Sequence, residues 1–304
     1  MSGRLEITVG PLLFNWPAEA VRTFYRRVAD DPAVDRVYLG EVVCGKRGPL
    51  LADALAESAE ALEAGGKTVV WSTLALPANR RELRASAALV EAGGPVEIND
   101  ISALARASTG APAGTPFVAG PFLNVYNEAA ARELMRRGCV RLCANIELSL
   151  GAVAAIARGC PGLEVELFAY GRLPLALSGR CYHARLHGLH KDACQFVCER
   201  DPDGLAVATV EATPFLAMNG VQTLSHGVHV VDVEPARLRE AGVGALRLSP
   251  HTGDMAAVSA AFRRFADGRS SPPELRAALA AAGPPGPLVN GYVHGARGLE
   301  LLDA

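Results

Sequence analysis

The chain carries no excess of either charge: 30 Lys and Arg stand against 32 Asp and Glu over 304 residues, a formal net charge of −2. Without a broad basic field, nucleic acid and anionic membrane are poor choices for the main partner. Aromatics are scarce at 6%, and no apolar run is long enough for a membrane span. The first seventeen residues, MSGRLEITVGPLLFNWP, are broken by Gly10, Pro11 and Asn15 and lack a signal-peptide pattern. Cytoplasmic residence is the expectation. HExxH is absent, as is a Gly-x-Gly-x-x-Gly turn after the first strand, which removes the common zinc-protease and dinucleotide signatures. Ser149, Ser178 and Ser249 stand alone, without a nucleophile elbow.

What the chain does have is seven cysteines, an odd number that cannot pair completely and that suits thiols and ligands better than disulfides. Cys181, Cys194 and Cys198 crowd one segment as C-x12-C-x3-C, and Cys44 lies far upstream in YLGEVVCGKR. Four thiolates are enough for one metal centre, and soft sulfur donors select zinc or an iron–sulfur cluster. The spacing alone does not choose between them. His183, His187 and His190 fall inside the x12 stretch and offer a Cys3His alternative for zinc. Cys139, Cys143 and Cys160 are read as small buried side chains.

Half of the residues are apolar, enough for a sizeable core. Short β-rich runs alternate with Ala-, Arg- and Glu-rich helical stretches. The expected strands are Leu5–Val9, Arg36–Leu39, Thr68–Ser72, Val96–Ile98, Pro116–Ala119, Val140–Ile146, Leu163–Tyr170 and Ala245–Leu248. Eight of them predict an α/β fold, a (β/α)8 TIM-barrel-like domain over residues 1–304, with an open doubly wound sheet as the alternative. The pattern breaks at about 171–243, an insertion that carries the cysteine cluster beside the barrel mouth. AAGPPGPLVNGY near the C-terminus reads as a loop or tail.

In such a barrel chemistry sits after the C-terminal ends of the strands. That position holds Asn15 and Trp16, Glu41 and Cys44, Thr73, Asn99 and Asp100, Asn124, Glu147, Tyr170 and Arg172, and Ser249 and His251. Glu41, Asn124 and Glu147 are the candidate catalytic polar groups of this mouth. Loop anchoring explains the carboxylates equally well. Arg180 beside Cys181 either binds an anionic substrate or offsets thiolate charge.

The order GPLLFNWP, YLGEVVCGKR, STLAL, PFVAGPFLNVYN, IELS, VELFAYGRLPLALSGRCYHAR, KDACQFVC, LAMNGVQTLS, RLSPHTGD resembles the collagenase-like peptidase family over most of the chain. Glu166, Phe168, Gly171, Gly179 and Cys181 occupy the family's acidic-aromatic, Gly and Gly-x-Cys signature. Pro174 stands where many relatives have a cysteine, and Cys44 fits the ligand that one subgroup supplies from the early loop instead. The resemblance implies a [4Fe–4S] cluster on Cys44, Cys181, Cys194 and Cys198. It further implies a heterodimer with a related partner subunit and oxygen-independent hydroxylation of a ubiquinone precursor, with prephenate as organic hydroxyl donor. Two alternatives stand beside it: a non-catalytic cluster-bearing subunit, and a metal-dependent enzyme of the peptidase type.

Overall fold

A computed structural model describes residues 3–109 and 115–303. Seven strands follow one another in parallel: β1 (Glu6–Val9), β2 (Arg36–Leu39), β3 (Thr68–Ser72), β4 (Val96–Ile98), β5 (Phe117–Ala119), β6 (Cys139–Cys143) and β7 (Glu164–Leu177). Between β7 and the last barrel strand come β8 (Leu205–Ala208), β9 (Pro214–Asn219) and β10 (Gln222–Val230). β11 (Val243–Leu248) then pairs in parallel with both β7 and β1 and closes an eight-stranded barrel. The (β/α)8 expectation is met, and the open sheet is excluded.

The connecting helices are α1 (Ala18–Ala29), α2 (Gly48–Ala64), α3 (Arg80–Glu91), α4 (Ile101–Thr109), α5 (Glu128–Arg136) and α6 (Leu150–Gly159). A short α7 (Tyr182–Leu186) and α8 (Pro235–Glu240) belong to the inserted segment, and α9 (Met255–Ala266) and α10 (Pro272–Ala281) follow β11. Their apolar faces explain their positions: Val21, Tyr25 and Val28 of α1 and Val258, Phe262 and Phe265 of α9 recur at helical spacing and are buried. Caps set several starts. Asn79 accepts from the backbone N–H groups of Arg81 and Glu82, and Asn127 from that of Ala130.

The seventh strand does not stop at Tyr170. It runs through Gly171 to Leu177 and there pairs antiparallel with β10, which pairs with β9 and β9 with β8. Tyr170 is therefore mid-strand, pointing into the outer core against Phe262, with its hydroxyl 2.8 Å from His251 Nε2. Arg172 is likewise not a mouth residue. Its guanidinium clamps the carbonyls of Asp203, Ser225, His226 and Pro285, tying the added sheet to the C-terminal segment. That segment is no free tail: β12 (Leu288–Val289) pairs with β10, and Asn290 donates to the buried Asp232.

Inside the barrel the alternate strand positions are polar. Arg247 of β11 donates to Glu166 of β7 at 3.0 and 3.2 Å and to Glu97 of β4 at 2.5 Å, and lies 3.7 Å over the Tyr38 ring of β2. Tyr38 and Thr8 hydroxyls also donate to Glu166, and Ser72 to Glu97. Only the lumen can bring these strands' side chains together. All of these groups are buried, so each charge depends on its partners.

Burial would raise the Glu166 carboxyl, but the Arg247 guanidinium and its hydrogen bonds hold it at about 2. A carboxyl depressed from an ordinary value near ~4.3 contributes about 3 kcal/mol above that pH and loses it as pH falls toward 2. Buried His229 is pushed down to about 4 by desolvation. The unfolded chain therefore takes up that proton first, and stability falls from about pH 6.5 downward. Denaturant unfolding at stepped pH should show two declines, one from about 6.5 to 4 and a further one below about 4.3. A flat profile from neutrality to pH 3 would contradict this ionisation pattern.

Candidate metal centre

The loop after β2 turns sharply at Glu41, whose Oε1 accepts the backbone N–H groups of Val43 and Cys44 at 2.7 and 2.8 Å. Glu41 thus shapes the loop that presents Cys44. From the other side, residues 178–204 fold over the ends of β1 and β2. Trp16 Nε1 donates to the Pro202 carbonyl at 2.7 Å, and Lys46 Nζ to that of Lys191 at 2.6 Å. Cys181 caps α7, its sulfur accepting from the Ala184 N–H at 3.4 Å. Cys194 and Cys198 sit at two short 3-10 turns, Lys191–Ala193 and Val197–Arg200.

These pieces enclose one small pocket whose wall contains Cys44, Cys181, Cys194 and Cys198 together with Arg47, His183 and Gly220. The thiols are unbridged; Cys181 and Cys198 are buried, and Cys44 and Cys194 half-buried. Burial raises the Cys44 thiol against the opposing pull of Arg47, and burial raises that of Cys181 against its backbone N–H bond. A metal taken up here must displace protons, so loading is favoured as pH rises.

Arg47 is the group that sequence reasoning passed over. It is 1% exposed, and among the described residues its Nε and Nη1 meet no nitrogen or oxygen acceptor, the Cys198 sulfur being the group beside the guanidinium, while Nη2 donates to Asn219 Oδ1 at 2.6 Å. The pull that keeps it charged comes from Glu41, Cys198 and Cys44. A buried guanidinium is costly unless an anion meets it. An iron–sulfur cubane held by four thiolates is such an anion. The turn Asn219–Gly220 makes room for the arginine: Gly220 has φ +67°, and a Cβ there would stand 2.4 Å from Arg47 Nη2. The signal was present as the Arg closing YLGEVVCGKR and the Asn-Gly pair of LAMNGVQTLS. Asn15 Nδ2, 3.4 Å from Cys198 Sγ, completes the polar contacts to the thiols.

A second donor group lies alongside. His183, His187 and Asp201 offer ligand atoms within 4.8 Å of one another, with His183 Nε2 3.0 Å from Asp201 Oδ2 and its ring stacked on that of His187. His183 Nδ1 is 3.2 Å from the Met218 carbonyl oxygen. His190 instead faces an open cleft next to the pocket, with Arg180.

The remaining cysteines are elsewhere. Cys139 and Cys160 pack in the apolar layer around β4 to β6, the Cys139 thiol pushed up to about 12 by burial. Cys143 lies in the lumen near Arg247, its thiol pushed well up by burial and therefore neutral. Asn124 and Glu147 form a separate, exposed group. Asn145 Nδ2 donates to Asn124 Oδ1 at 3.1 Å, its Oδ1 accepts from the Glu147 N–H at 2.9 Å, and Tyr126 donates to Glu147 at 2.9 Å. Asn124 takes the left-handed backbone at φ 54°. Glu41 belongs with the thiols, Asn124 and Glu147 with the β5 and β6 loops.

Together these features define an α/β barrel protein with a pocket lined by four thiols at the C-terminal ends of its strands. The model of peptidase family U32 matches residues 18–300, and the chain belongs to that family. Among the described residues no helix is long and apolar enough to cross a membrane.

Proposed function

We propose that the chain is a UbiV-like iron–sulfur subunit. In this reading it binds a [4Fe–4S] cluster through Cys44, Cys181, Cys194 and Cys198 and works with a UbiU-like partner in oxygen-independent hydroxylation of ubiquinone-biosynthesis intermediates, prephenate supplying the hydroxyl. The observation that carries the reading is the convergence of four cysteines, from positions 44 to 198, on one pocket beside the buried Arg47. A family match alone does not separate this role from others in the family; an all-thiolate donor set beside a buried cation suits an anionic thiolate-bound centre, and the resemblance of the Cys44 loop is what points to iron–sulfur.

When bound, the cluster supplies single-electron chemistry. The chain's own residues do the rest. Glu41 holds the Cys44 loop in shape, and Asn219 orients Arg47, whose charge would offset that of a thiolate-bound centre. Asn15 donates to the Cys198 sulfur at 3.4 Å, which ties that side chain to the loop after β1. Zinc is the alternative metal, and the His183, His187, Asp201 group is what favours it, since imidazole and carboxylate are zinc donors.

The test is to purify the chain and its UbiU-like partner separately and together without oxygen, then assay ring hydroxylation with labelled prephenate and with labelled O2. The reading expects product only from the combined subunits, with its oxygen from the organic donor. Product oxygen from O2, or peptide hydrolysis as the sole activity, would overturn it. Activity of the partner alone would leave this chain the role of a cluster-bearing, non-catalytic subunit.

A further inference from the structure

The helical ring is not evenly closed. α1 packs on α2, α3 on α4, α5 on α6 and α9 on α10, but a groove of about 550 Å3 lies between α2 and α3. Its wall is mainly apolar: Leu55 and Ala52 from α2, Ala85 and Leu89 from α3, and Trp71 and Leu74 at its floor. Small residues on the facing helix surfaces keep the space open, and the volume is that of a small-molecule site. At one end the groove shares Arg81 and Glu82 with a second, open cleft of about 790 Å3, and passes from Gly45 in the groove to Lys46 in the cleft.

That cleft is cationic. Lys46, Arg81, Arg180, Arg185 and Lys191 line it against only Glu82 and Asp192. Glu82 is occupied, its Oε2 accepting the Ala78 N–H at 2.6 Å, and among the described residues Arg180 and Arg185 have no carboxylate partner. Cys181 forms part of the same wall, so whatever occupies the cleft lies against the thiol pocket.

We propose that groove and cleft form one binding site for an amphiphile, its apolar chain lying between α2 and α3 and its anionic head held among the cleft's cations beside Cys181. An apolar trough joined through a shared wall to a basic chamber matches such a molecule at both ends, since the chain gains by leaving water and the head gains paired charge. The site stands on its own lining, which defines its occupant by chemistry: an apolar chain joined to an anionic head.

The intact, anaerobically prepared chain should be titrated calorimetrically with three probes: 3-geranyl-4-hydroxybenzoate, 4-hydroxybenzoate and geraniol. The geranylated acid should bind at least about tenfold tighter than either fragment. Ala85→Trp, which fills the groove from an exposed position on α3, should weaken the geranylated acid about tenfold and leave 4-hydroxybenzoate unchanged. Arg180→Glu combined with Arg185→Glu should weaken both acids and spare geraniol. Geraniol binding as tightly as the geranylated acid, or an Ala85→Trp chain that binds it normally, would overturn the proposal. So would an Ala85→Trp chain that loses only its partner subunit, which would make the groove a protein interface. Iron assayed on the same samples separates the two readings: iron-free protein with the full binding pattern keeps this site and removes the cluster, and iron-loaded protein without the pattern does the reverse.

Discussion

Arg247→Leu should cost about 3–5 kcal/mol, a large share of the roughly 5–15 kcal/mol that holds such a domain together. The substitution removes the one cation that, among the described residues, meets both Glu97 and Glu166 in the lumen, leaving two buried carboxylates facing each other across the barrel. Arg141, whose Nη1 lies 4.0 Å from Glu166, is mainly committed to Glu6 and Glu164 and cannot replace it. Adding Glu97→Gln and Glu166→Gln should recover much of the loss, because neutral amides need no counter-charge. Thermal unfolding of the single and triple variants checks this, and a loss below about 1 kcal/mol in the single variant would mean the lumen charges are solvated.

Removing one thiol of the pocket should have the larger functional effect. Cys44→Ala is expected to bring iron close to zero and, with the partner present, to abolish hydroxylation. Cys139→Ala and Cys160→Ala should retain full iron, since both thiols are packed in a separate apolar layer. The effect on stability follows the same division, because the free energy of metal binding is available only to the folded chain. If Cys44→Ala keeps its iron while Cys139→Ala loses it, the ligand set is wrong.

The strands of the barrel were legible because each is a short β-rich run between helical stretches, and their bounds in the fold fall within a few residues of those read from composition. The first and ninth helices, Ala18–Ala29 and Met255–Ala266, fall on the Ala- and Arg-rich stretches between such runs. The continuation of β7 was not legible. Gly171 and Pro174 look like strand breakers, yet Gly171, at φ +125°, lets the strand pass Ser249 where a Cβ would come within 2.6 Å, and Pro174 falls at a register shift where its missing N–H does little harm. The C-terminal Gly/Pro stretch misled for a related reason, since its order comes from Asn290 and the buried Asp232 rather than from local propensity.

At the site, the cysteines could be nominated from sulfur chemistry, but their neighbours could not. Arg47 matters because β9 and β10 turn at Gly220 beneath it, a contact 173 positions away along the chain. The lumen network had a readable signal in the alternation of Glu6 with Thr8, Arg36 with Tyr38, Glu97 with Asn99, and Arg247 with Ser249. Strands buried on both faces usually read as continuous apolar runs, so polar residues at every second position mark a charged interior. Glu41 illustrates the opposite outcome. It stands where a mouth acid was expected, and its carboxylate is spent on the backbone of the Cys44 loop.

The central claim is that the pocket around Arg47 binds an iron–sulfur cluster. The most direct measurement is iron, acid-labile sulfide and zinc per chain in anaerobically purified protein, with an electron-paramagnetic spectrum before and after reduction by dithionite. About four iron and four sulfide per chain and a signal that appears on reduction are the results this account requires. One zinc per chain with no labile sulfide and no signal would contradict it.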